Sequence, residues 1–91
     1  MESDLIIPED ARQRYIERRK QDIETLKSAL RQNTFEEFKR IGHQLKGNAA
    51  SFGYSDLEKV AIQLEAAGER RDTSEAQRQL ASFESWLSTV V

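Results

Sequence analysis

Apolar residues recur along this chain at helical spacing, and the breaks between them hold the residue types that start and stop helices. Ile16, Ile23, Leu26 and Leu30 follow one another at intervals of seven, three and four, the stripe of an amphipathic helix. Pro8 suits its opening turn, Glu9 and Asp10 complement the positive end of its dipole, and Asn33 is its stop. A second stripe runs through Phe35, Phe38, Ile41, Leu45, Ala49 and Phe52. Thr34 and Glu37 make a capping box at its start, and Gly53 lies at its end. Ser55 and Glu58 repeat the box and open a third helix, whose stripe is Leu57, Val60, Ala61 and Leu64 and which fades around Gly68. The fourth stripe is Ala76, Leu80, Phe83 and Leu87, with Trp86 and Val90 beside it. Asp72, Thr73 and Ser74 could each cap that helix, because Glu75 and Gln77 are both placed for a box, and the pattern does not choose among them.

These signals predict helices over residues 8–32, 34–52, 55–69 and 73–90 of a single domain spanning 1–91. Connections this short make consecutive helices antiparallel neighbours, so the expected fold is all-α, an antiparallel up-down-up-down four-helix bundle.

Composition narrows the chemistry. The 91 residues contain no cysteine and one histidine, which removes disulfides, iron–sulfur clusters, thiolate nucleophiles and histidine-rich zinc sites. A net charge of −2 argues against nucleic-acid binding by bulk electrostatics. No apolar run is long enough to cross a membrane and no signal peptide opens the chain, so a cytoplasmic location is expected. The leading Met1 fits a free-standing protein or a piece of a larger one equally well. A monomer is expected, because four packed helices leave no large apolar stripe exposed.

One surface of the second helix stands out. With Phe38 set at zero, Phe35, Ile41, Leu45, Ala49 and Phe52 all fall within about 60° of it, whereas His43 lies about 140° away and projects into solvent. Gly47 and Ala50, one and two turns on, present almost no side chain beside the imidazole. Lys46, Lys39 and Arg40 give it a cationic rim. An interior glycine costs a helix about 1 kcal/mol relative to alanine. Gly47 could be a C-cap, but Ala49 and Phe52 carry the apolar stripe past it and Gly53 is the better stop. A glycine kept on an exposed helix face points to another surface approaching closely.

An exposed imidazole is mostly neutral at neutral pH and is then a good phosphoryl acceptor. A phosphoryl group adds up to about two negative charges, which Lys46 is placed to offset. The chain has no P-loop and no kinase-type glycine loop, so it is not expected to use ATP by itself.

The segment His43-Gln44-Leu45-Lys46-Gly47, followed after five residues by Gly53, closely resembles the signature of histidine-containing phosphotransfer (HPt) domains. Phe38 and Ile41 before it and Leu57 and Leu64 after it extend the resemblance over residues 34–68, while the first and last helices are similar only in length and periodicity. Gly42 stands where alanine is common in that family, and Phe52 where a smaller aliphatic residue is frequent; both keep the size class or polarity. The resemblance implies a phosphocarrier of a multistep two-component phosphorelay, not an enzyme with its own ATP site. His43 would take a phosphoryl group from an aspartyl phosphate on a response-regulator receiver domain and pass it to another receiver. A sensor or hybrid histidine kinase stands upstream. Lys46 would steady the phosphate, Gly47 would leave room for the partner, and Lys39, Arg40, Gln44 and Ala50 would border the docking face. No cofactor or metal is implied on this chain, since the family's magnesium belongs to the receiver.

Two other readings compete. The same bundle could bind a receiver or another signalling protein without carrying phosphate. The basic run Arg12, Arg14, Arg18, Arg19 and Lys20 could instead contact nucleic acid, although Asp22 and Glu24 follow it at once and most such runs are solvated helix faces. The aromatic residues Phe35, Phe38, Phe52, Phe83 and Trp86 sit on helical stripes and are expected in the core. Ser51 and Ser55 are accounted for by helix ends.

Overall fold

The computed structural model describes residues 7–91; residues 1–6, Met1 among them, lie outside the described residues. Four helices follow one another: α1 (Glu9–Gln32), α2 (Phe35–Ser51), α3 (Ser55–Arg70) and α4 (Thr73–Val90). Each packs on the next, and α1 also meets α4, which closes an all-helical bundle of 41 × 21 × 18 Å. The connections are of two or three residues, too short to carry the chain anywhere except back along its neighbour.

The helix ends combine expected and unexpected devices. Asn33 stops α1 in the left-handed conformation at φ 57°, as its residue type favours. Pro8 sits just before the first helical residue, Glu9. The capping box of Thr34 and Glu37 is not formed: the Thr34 hydroxyl donates backwards to the Ala29 carbonyl at 3.4 Å, and Glu37 pairs with Arg40 instead. The box of Ser55 and Glu58 is also absent, because Tyr54 occupies the capping position and Ser55 is already helical. Of the three candidates for α4, Asp72 is the cap; its carboxylate accepts the Glu75 amide hydrogen at 3.0 Å. Helix α3 does not fade at Gly68. It continues to Arg70 and ends on Arg71, a non-glycine residue at φ 53°.

The core is formed by the predicted stripes. Leu26, Phe38, Ile41, Leu45, Leu57, Leu64 and Phe83 are fully buried, and truncating any of the larger ones would cost about 2–5 kcal/mol. At one end of the bundle the aromatic residues form a second layer. The Tyr15 and Phe52 rings stack at 4.1 Å between centroids, and Tyr54 meets Trp86 edge-on at 5.1 Å. The basic run on α1 departs from a purely solvated face. Arg19 is buried, with its guanidinium 4.3 Å from the Tyr15 ring centre and paired with Asp22 at 2.8 Å, while Arg12 donates to the Tyr54 hydroxyl at 2.7 Å.

Helices α2 and α3 make the most intimate contact in the bundle, and two glycines allow it. A Cβ at Gly42 would lie 2.5 Å from the Glu65 amide nitrogen and 2.8 Å from the Ala61 carbonyl oxygen. One at Gly68 would lie 2.6 Å from the Lys39 nitrogen and 2.9 Å from the Phe35 oxygen. The helices therefore meet backbone to backbone at two places, as small residues permit. This corrects two readings from sequence. Gly68 is a contact residue inside α3 rather than a stop, and Gly42 is not interchangeable with alanine in this backbone arrangement.

Candidate functional site

His43 lies on the outer face of α2, on the edge that borders α3, with its side chain 69% exposed. Across the gap, α3 presents Glu65, and that carboxylate touches two groups at once. One oxygen is 3.1 Å from His43 Nδ1, and the other accepts from Lys46 Nζ at 2.8 Å. His43 and Lys46 are one turn apart on α2, so the carboxylate bridges neighbours on the opposing helix.

The Lys46 hydrogen bond is the largest influence on Glu65 and holds its carboxyl below the usual range; burial opposes this, and the His43 bond adds to the lowering. Glu65 is therefore an ionised carboxylate, which can only accept hydrogen bonds. Its contact with His43 accordingly requires the proton on Nδ1. In the neutral ring this leaves the Nε2 lone pair free on the exposed side. A carboxylate that fixes the tautomer in this way orients the ring as well as its charge.

The remaining residues singled out from sequence lie around this pair. Gly47 is exposed within α2, and a Cβ there would meet nothing within 4 Å, so no contact inside the chain requires the glycine. Ala50 and Gln44 are exposed on the same helix. Lys39 and Arg40 flank a shallow groove that also includes Glu36, His43, Gln44 and Glu65. The cationic rim is less free than the sequence implied: Lys46 is bound to Glu65, Arg40 to Glu37, and Lys39 lies 3.9 Å from Glu36. Among the described residues, no three histidine or acidic side chains converge in a manner suited to a metal ion.

Glu65 was not visible to sequence reasoning. It falls beside the apolar stripe of α3, and nothing local marks it. The signal that could have placed it is the pair of interior glycines, Gly42 and Gly68, which set the register of α3 against α2. Ile62, one turn before Glu65 and 42% exposed, was also missed; it lines a hollow with Lys46, Glu65 and Ala66.

A family model described as Hpt domain matches residues 10–90, and the chain belongs to that family. Hpt domains serve histidine phosphotransfer in phosphorelays; they are phosphocarriers, and they interact with the receiver domains and kinases of two-component signalling. Comparison with curated proteins and with solved structures gave no match. Among the described residues, no helix is long and apolar enough to cross a membrane.

Proposed function

We propose that His43 is the phosphoryl carrier: it accepts the group from an aspartyl phosphate of one receiver domain and delivers it to the aspartate of another. The observation that carries this reading is the placement of an exposed imidazole, its Nδ1 tied to Glu65, on a helix face that stays open at Gly47.

The Nε2 lone pair attacks phosphorus, the bond from phosphorus to the acyl oxygen breaks, and the receiver's carboxylate leaves with the bonding pair. Lys46 lies one turn from the acceptor and can turn from Glu65 towards the incoming phosphoryl oxygens. Gly47 and Ala50 give the partner a flat approach, and Lys39, Arg40 and Gln44 border it. Positioning and charge compensation are most of what phosphoryl transfer asks of a protein. Magnesium, in this reading, belongs to the receiver, and this chain acts as a monomer.

The test uses His43→Gln beside the wild type, with phosphorylated receivers as donors. Acid-labile, base-stable label on the wild type alone supports the carrier. Receiver binding by both proteins with label on neither would make the bundle an interaction module instead.

A further inference from the structure

We propose that Arg18 on α1 and Asn48 on α2 take carboxylate side chains from the docking receiver, so that this bundle selects receivers whose docking surface is acidic. This rests on the carrier role of His43 and names the chemistry of the partner which that role requires.

Most of the basic run on α1 is already engaged. Arg12 is bound to the Tyr54 hydroxyl, Lys20 to Glu17 and the buried Arg19 to Asp22, while Arg14 lies 3.4 Å from Asp10. Arg18 is exposed and, among the described residues, is paired with no carboxylate. It stands at the edge of a hollow between α1 and α2 that Arg14, Arg19, Tyr15, Asn48 and Phe52 also line. Three guanidinium groups and no carboxylate border that hollow. Towards α3 the charge is balanced instead, because Lys46 and Arg70 share their hollow with Glu65 and Glu69. The helix that carries His43 is therefore flanked by positive charge on its α1 side only.

Asn48 closes the hollow from α2, in the residue after Gly47. Its Oδ1 accepts from the Tyr15 hydroxyl at 2.7 Å, and its Nδ2 hydrogens have no acceptor among the described residues. Tyr15 thus occupies the acceptor end of the amide and leaves the donor end free. Phe52, stacked on the Tyr15 ring, gives the hollow an apolar floor. A guanidinium and an amide above an aromatic floor fit a carboxylate on an apolar stem, as in a glutamate or aspartate side chain. Asn48 is five residues beyond His43, about 7.5 Å of helix rise. A protein partner of ordinary size covers about 800 Å², so one seated over His43 reaches the hollow as well. Nucleic acid fits less well, since one unpaired guanidinium neutralises little of a phosphate backbone.

The test is equilibrium binding of unphosphorylated receiver domains to the full chain by titration calorimetry. The receivers are chosen as acidic or basic in the residues bordering their phosphorylatable aspartate. The wild type should bind the acidic set about tenfold more tightly than the basic set, and added salt should narrow the gap. Arg18→Glu should weaken the acidic set by about tenfold and strengthen the basic one. Asn48→Asp keeps an acceptor for the Tyr15 hydroxyl and turns the free donor into a repelling carboxylate, so it should weaken the acidic set in the same way. Circular dichroism checks that both variants stay helical. In transfer assays the two variants should raise KM for an acidic receiver more than they lower kcat. No preference in the wild type, or a preference that neither variant moves, would overturn the proposal. So would a nucleic-acid duplex that binds the wild type and not Arg18→Glu, which would assign the hollow to a phosphate backbone. The binding measurement needs no phosphate, so a charge preference without label on His43 would sink the carrier role and leave the docking chemistry standing. Transfer indifferent to receiver charge would sink only this proposal.

Discussion

Gly42 on α2 and Glu65 on α3 face each other so closely that the smallest side chain at position 42 would sit 2.5 Å from the Glu65 backbone nitrogen. The contact fixes the height and distance at which α3 presents its carboxylate to His43. A packing feature of the core and the geometry of an exposed site are thus one feature, seen from inside and outside.

That relationship separates the glycines of α2 by experiment. Alanine at Gly42 gains helix propensity but overlaps backbone, and a net loss of about 1–3 kcal/mol is expected in denaturant unfolding. Alanine at Gly47 meets nothing within 4 Å and should stabilise the fold by about 0.5–1 kcal/mol. The same Gly47→Ala protein should accept phosphate more slowly from a receiver than from phosphoramidate, because only the receiver needs the clearance. Equal effects on both donors would remove the clearance role.

Lys46 is bound to Glu65 in a partly exposed pair, so Lys46→Met should change stability by less than about 1 kcal/mol. Its effect belongs in the phosphorylated state, where the ammonium group would otherwise meet the phosphoryl oxygens. The transfer equilibrium should shift towards the phosphorylated receiver, and raising the salt concentration should narrow the difference from wild type. An unchanged equilibrium would show that Lys46 serves Glu65 only.

Two carboxylates give the stability opposite responses to acid. Glu65 is held below its usual value of 4.5 chiefly by the Lys46 hydrogen bond, so its contribution is present above that value and is lost as pH falls through the lowered one. Asp22 is raised from 3.8 because burial outweighs the attraction of Arg19. The folded state then holds the Asp22 proton more tightly. Stability from this group is complete below 3.8 and declines as pH rises through the raised value. Unfolding curves between pH 3 and 6 should therefore flatten in opposite senses for Glu65→Gln and Asp22→Asn. Parallel changes in the two variants would contradict the assignment.

The caps offer a test free of the site. Asp72→Ala removes a formed bond and should cost about 1 kcal/mol, whereas Thr34→Ala and Ser55→Ala remove no N-cap bond and should cost much less. Thermal unfolding of the three variants decides it, and an equal loss in all three would count against the observed cap geometry.

The sequence was most informative where the physics is local. Stripes such as Phe38, Ile41 and Leu45 repeat at helical spacing and are buried, and the wheel that set His43 outside them placed it correctly on the exposed face. Capping patterns read less well, because Thr34 and Glu37 each found another partner, and a pattern of types cannot rank such competitors. Glu65 was illegible because its role depends on the register between two helices. That register rests on backbone contact at Gly42 and Gly68, which a one-dimensional pattern reads as a tolerated substitution and a helix end. The burial of Arg19 was hidden for a related reason: its cover is the Tyr15 ring, and its charge is matched by Asp22.

The central claim, that His43 carries phosphate between receivers, is tested most directly by following label through both transfers. A phosphorylated receiver is mixed with the wild type, the labelled bundle is isolated, and a second receiver is added. The account predicts acid-labile, base-stable label on the wild type, its passage to the second receiver, and no label on His43→Gln. Label on His43→Gln, or a wild type that no receiver and no phosphoramidate can phosphorylate, would contradict it.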